Sequence, residues 1–310
     1  MFARLMTVAY NAYREAVRAR VLLGLAGVAV AVAFYSLVVG AFTLRDAPRV
    51  VADLGATAVS VFSIAVAIYI GGTSLHRELE MKTILPLLAR PIRRGEYLVG
   101  KYVGTMLVVA VFVMAEGGLV LMMSAAMGGQ PVELVLSVGA VLVVAMIAAA
   151  LRSTAMGTIA PIPWAAAMMV AGFLLCDVAP GERSLIMASC ALTVLEVMIV
   201  AAFATLFSSF STPFLSALLT LGVFLVGRNA DSLARLPVNV FGETGRAAGK
   251  QFAKVVPNLH TYVPSRPLLT GEALDANLAG YLGMAAVQTL GWTLVLLAAA
   301  AFVFQRRDFI

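Results

Sequence analysis

Uncharged apolar runs near 20 residues recur along the chain. A helix rises about 1.5 Å per residue and a hydrocarbon core is about 30 Å thick, so each such run is long enough to cross one. The clearest are Val21 to Leu44, Gly55 to Leu75 and Ala276 to Gln305. Between Tyr102 and Gly227 only seven charges interrupt 126 residues: Glu116, Glu133, Arg152, Asp177, Glu182, Arg183 and Glu196. Breaks at Gly128-Gly129-Gln130-Pro131, at Arg152, at Asp177 to Arg183 and at Ser208 to Pro213 leave five further segments there. They run about 102–128, 134–151, 155–176, 184–207 and 213–227, so the pattern predicts an all-α polytopic membrane protein of about eight spans. Pro161 and Pro163 fall inside 155–176, and that segment with 134–151 reads either as two crossings or as a re-entrant hairpin.

Composition removes the alternatives to a membrane. Hydrophobic residues make up 62% and charged residues 12%, about half the roughly 25% charge of a soluble domain. Mean hydropathy is +0.98. Secreted disulfide scaffolds, disordered tails and soluble enzymes drop out. Cys176 and Cys190 cannot make a disulfide framework and read as buried thiols. The net charge of +6 reflects Arg-rich inner loops rather than nucleic-acid binding, since no basic cluster is interleaved with stacking aromatics.

With the N-terminus inside, 13 basic residues fall in inner loops, against three (Arg45, Arg49 and Arg183) in short outer ones. The positive-inside rule therefore places both termini in the cytoplasm. The long segment 228–283 falls outside, where its basic residues count little. Residues 1–20 are no signal peptide, because the following apolar run is too long for one. Their apolar positions recur at helical spacing, with Arg14, Glu15 and Arg18 on another face, which describes an amphipathic helix along the inner surface. Gly100-x-x-x-Gly104 is a spacing that lets two helices approach closely. Only four of the 22 basic residues are Lys; with high alanine, that bias points to a bacterium of high genomic GC, and so to its inner membrane.

The most informative stretch is the inner loop 76–101. It begins His76-Arg77-Glu78-Leu79-Glu80-Met81-Lys82-Thr83-Ile84-Leu85 and continues Pro86-Leu87-Leu88-Ala89-Arg90-Pro91-Ile92-Arg93-Arg94-Gly95-Glu96 to Gly100-Lys101. Its first half can form a short helix that docks into a groove of a soluble partner. A solvated loop whose charges serve only topology fits the residues equally. Here the chain resembles the type-2 ABC transporter permeases, the transmembrane subunits of ATP-driven exporters. It carries their Glu-x-Glu-x-x-Thr element at Glu78, Glu80 and Thr83, then Leu87, Leu88, Ala89, Arg90, Pro91, Arg93, Arg94, Gly95, Glu96, Gly100 and Lys101. The likeness continues in Leu206 to Leu218, in Pro257-Asn258-Leu259 and in Arg306-Arg307-Asp308-Phe309. Pro86 departs from the pattern and would end or kink the docking helix early. The hairpin 131–183 is extra relative to the usual six-span plan.

That resemblance implies a six-span exporter-type core with an added hairpin, organised as 1–20 interfacial helix, 21–75 spans one and two, 76–101 coupling loop, 102–227 further spans, 228–283 external loop and 284–310 last span and tail. It implies no catalytic residue and no metal here. ATP and magnesium would sit on two ATPase chains, coupled through Arg77, Glu78, Glu80 and Thr83, beside a second permease copy or a related permease. Arg90, Arg93 and Arg94 would anchor the loop at anionic lipid headgroups. Gly95 to Lys101 imitates a phosphate loop, but Tyr102 stands where Ser or Thr should hold magnesium, and no strand precedes it.

Glu116 and Glu196 lie mid-span, where a carboxylate costs several kcal/mol unless it is neutral, paired or wetted. They are pathway candidates, or else protonated groups bonded to a neighbouring helix. His260 beside Tyr262 is a lone His, which reads as structural. An intramembrane enzyme is disfavoured, for the chain has neither a His-Glu-x-x-His pair nor a Gly-x-Ser-x-Gly elbow. A subunit that uses the ATPase stroke on an external accessory protein docked at 228–283 remains open, and cargo identity is not encoded in these patterns.

Overall fold

The structure is a computed structural model that describes residues 2–43, 46–80, 94–235, 256–270 and 277–306, with scattered positions from 242 to 251 and the backbone alone for 74–80. The described residues form α1 Phe2–Val17, α2 Arg20–Ala41, α3 Ala47–Glu80, α4 Arg94–Met127, α5 Val132–Arg152, α6 Met156–Ile159, α7 Pro161–Leu175, α8 Pro180–Ser208, α9 Pro213–Arg228, α10 Ala230–Ala234, α11 Arg266–Thr270 and α12 Leu278–Gln305. Two 3-10 turns, Cys176–Val178 and Leu259–Tyr262, complete them. Seven of these helices are long and apolar enough to cross a membrane, and α9 is a shorter apolar helix of 16 residues. The chain is an all-helical, multi-pass membrane protein.

The prolines explain several boundaries. Pro161, Pro180 and Pro213 each open a helix, a position where the missing N–H is not needed and the fixed φ is already helical. Pro161 and Pro163 therefore do not interrupt a helix. They start one, and with the turn that follows α7 the apolar stretch Pro161–Val178 is 18 residues long. Asn277 caps α12 by accepting from the Gly280 N–H at 3.0 Å. Helix α3 begins at Ala47, eight residues before the uncharged run, so Asp53 is helical.

The core is built on α3, α4 and α8, each more than 60% buried along its most apolar stretch, whereas α5 is 6% buried and presents its apolar side chains outward. Helix α8 packs on α3, α4 and α12, while α7 packs on α4. Lipid tails are as apolar as leucine, so helices in a bilayer associate by close van der Waals fit rather than by expelling water. The α4–α7 contact shows this. A Cβ on Gly172 would lie 2.5 Å from the Gly118 carbonyl oxygen, and one on Gly118 would lie 2.5 Å from the Met168 carbonyl carbon. Cys176 and Cys190 are both free and buried.

Helix α1 is amphipathic, and its buried face (Val8, Ala9, Ala12, Tyr13 and Ala16) lies largely against α4. A Cβ on Gly104 would come 2.5 Å from the Ala9 carbonyl oxygen, so the Gly100/Gly104 spacing serves this contact. Glu15 pairs with Lys101 at 3.4 Å across the interface. The start of α4, the end of α12 and α1 share a small cluster of Val8, Tyr97, Leu98, Ala300 and Phe304. These elements mark what is called below the α1 face; the starts of α3, α8 and α12 lie at the opposite face.

Tyr13 is fully buried and its hydroxyl has no hydrogen-bond partner among the described residues. Burial, and secondarily Tyr10, push its pKa up to about 12, so the phenol stays neutral. An unsatisfied buried hydroxyl costs about 1–3 kcal/mol. Tyr13→Phe is thus expected to keep or raise the thermal unfolding midpoint in detergent; a clear fall would mean that the hydroxyl is satisfied.

Candidate functional site

Two polar stripes run along otherwise apolar helices. On α3, Asp53, Thr57 and Ser60 recur at four- and three-residue spacing, and on α8 Glu182, Ser189, Thr193 and Glu196 follow at spacings of seven, four and three. Residues at that spacing share one helix face. The α3 and α8 stripes meet toward the opposite face, where Asp53, Thr57, Ser60, Ser189 and Thr193 line a cavity of about 310 Å³, with Arg228, Tyr262 and Arg266 completing its wall.

Two arginines tie this region together. Arg228, the last residue of α9, donates to Glu196 Oε1 at 2.5 Å. Glu196 is 1% exposed, and its Oε2 has no hydrogen-bond partner among the described residues. A carboxylate this deep is tolerable because a guanidinium stands beside it. The second arginine, Arg266, bridges three elements: its Nη1 donates to Asp53, and its Nη2 donates to both Glu182 oxygens at 2.5 and 2.6 Å. Placing Arg266 there requires the chain after α9 to fold back into the helices. The turn Leu259–Tyr262 does so, with Leu259 and Tyr262 buried. Tyr262 shares a 2.7 Å hydroxyl bond with Thr289 of α12; its pKa is raised, chiefly by burial, with the Thr289 bond acting against it.

The residues singled out in the sequence have varied fates. Arg77, Glu78 and Glu80 lie on the final turns of α3, and their side chains, with Thr83, Pro86, Arg90 and Arg93, are outside the described residues. Arg94 is described: its Nη1 donates to the Gln305 carbonyl at 3.0 Å, joining the start of α4 to the end of α12. Glu116 is 4% exposed, and neither carboxyl oxygen has a hydrogen-bond partner among the described residues. It sits one residue from Gly117, which packs against Cys190 Sγ. Glu196, by contrast, is ion-paired, so Glu116 and Glu196 do not form a single constellation. Arg152 ends α5 exposed. His260 Nδ1 lies 3.7 Å from Asp231, which also accepts from Asn258 at 2.9 Å. No group of three potential metal ligands occurs among the described residues.

Sequence reasoning missed Asp53, Arg228 and Arg266. The two stripes were the available signal, since hydroxyl and carboxylate positions at helical spacing on apolar helices mark a face that avoids lipid. Their arginine partners, 32 and 213 residues away in the chain, carry no local signal.

A comparison with curated proteins gave no match. The model of a membrane-protein family described as ABC-2 family transporter protein matches residues 6–309, a range that runs from α1 through every described span to the end of α12. On this near-complete match and the all-helical, multi-pass fold, the chain belongs to the ABC-2 transporter family.

Proposed function

We propose that this permease subunit of an ABC transporter works in an ATP-driven exporter, two permeases flanking the path and two separate ATPase chains docking at the α1 face, which is cytoplasmic. The family match over residues 6–309 carries the reading. The length of α3 supports the coupling route. Its 34 residues span about 51 Å, well beyond a core of about 30 Å, so one continuous helix leads from the polar cavity to Arg77, Glu78 and Glu80. A stroke delivered at its end reaches the cavity without a flexible joint. ATP and magnesium would be held by the partner; this chain supplies the path and the lever.

Gentle purification from the native membrane should retain a stoichiometric ATPase, identified by mass spectrometry. Glu80→Lys should leave insertion and abundance intact while detaching or uncoupling that ATPase, read as loss of permease-stimulated ATP hydrolysis. Unchanged stimulation would remove this loop from the coupling route. Purification free of any ATPase, under conditions shown to preserve such complexes, would remove the ATP-driven reading itself.

A further inference from the structure

We infer that the cavity between α3 and α8 is a binding site for a small polar group bearing a protonated amine. Its volume of about 310 Å³ lies at the low end of ligand cavities, room for a headgroup-sized molecule and not for a whole lipid. Its charge is unbalanced. Of the charged side chains that line it, Arg228 and Arg266 are each paired with a carboxylate behind the wall, Glu196 and Glu182, which leaves the lining carboxylate Asp53 as the one net negative charge of the cluster. Both guanidiniums already donate to carboxylates, so an anionic ligand would have to break those pairs and enter a negative site. A cation needs no such displacement. The remaining lining suits an ammonium group, since Thr57, Ser60, Ser189 and Thr193 place hydroxyls along both stripes as acceptors. Three acidic residues as a metal site are disfavoured, because each carboxylate is committed to an arginine. This site stands whether or not the ATPase coupling proposed above is correct, because it rests on the cavity alone.

The test uses the full chain in neutral maltoside micelles, with saturation-transfer NMR on ethanolamine and on glycolate, an anion of similar size. Saturation should pass to ethanolamine and not to glycolate. Ser189→Leu, which fills the cavity, should abolish the transfer. Asp53→Asn, which leaves Arg266 its Glu182 partner, should weaken it about tenfold, equivalent to about 1.4 kcal/mol. Thermal unfolding checks that both variants remain folded. Adding phosphatidylethanolamine to the micelles separates two sources of the amine: displacement of ethanolamine identifies a lipid headgroup, and no displacement identifies a free amine. Equal or stronger transfer to glycolate, ethanolamine transfer that persists in Ser189→Leu, or absence of transfer with no effect of the lipid would each overturn the site.

Discussion

Arg228→Ala is expected to destabilise the protein by about 3 kcal/mol, the usual penalty for removing one partner of a buried ion pair. Glu196 would be left 1% exposed with neither oxygen paired to a cation, and at that depth the carboxylate must take up a proton or draw in water. The end of α9 would also lose its tie to α8. The double variant Glu196→Gln/Arg228→Ala removes the stranded charge and is expected to recover most of the loss. Thermal unfolding of the three proteins in one detergent checks both statements. A single variant as stable as the parent, or a double variant no better than the single, would show that this pair does not hold α9 to α8.

Gly172→Val should be the most damaging single change in the α5–α7 hairpin. The new Cβ would meet the Gly118 carbonyl oxygen at 2.5 Å and the Leu121 Cβ at 2.8 Å, and the first of these is backbone that no rotamer change can move. Helix α7 would have to withdraw from α4. Helix α5 is 6% buried and cannot hold the hairpin in place by itself. Overpacking of this kind costs about 3 kcal/mol, or is relieved by the hairpin splaying into lipid. Gly222→Val and Gly283→Val are controls, because nothing lies within 4 Å of a Cβ at either position. Unfolding midpoints should fall for Gly172→Val and hold for the controls; equal tolerance of all three would mean that the hairpin is not seated on α4 by this contact.

Much of the fold was legible because the bilayer acts on the chain locally. The runs Val21 to Leu44 and Ala276 to Gln305 reappear as α2 and α12, since about 20 uncharged residues can satisfy their backbone only as a helix in hydrocarbon. The break at Ser208 to Pro213 separates α8 from α9 because proline opens a helix more readily than it continues one. Where periodicity was read too strictly, a tertiary contact was the cause. The uncharged run began α3 at Gly55, yet the helix begins at Ala47; Asp53 is accommodated there because Arg266, 213 residues later in the chain, neutralises it. For helix α1, expected as an amphipathic helix, the tertiary structure adds that its apolar face lies largely on α4, where Gly100 and Gly104 let the two backbones approach.

For the site, sequence alone identified Glu116 and Glu196 as anomalous, since a carboxylate in an apolar run is visible without a partner. It could not tell that Glu196 is ion-paired while neither oxygen of Glu116 has a hydrogen-bond partner among the described residues. The chain by itself determined the apolar segments, helix type and family, because hydrophobic length and motif spacing are written in neighbouring residues. Only the tertiary structure decided which helices form the core, how Arg228 and Arg266 are neutralised and where the polar cavity opens, because charges and backbones far apart in sequence find one another only after the helices have packed.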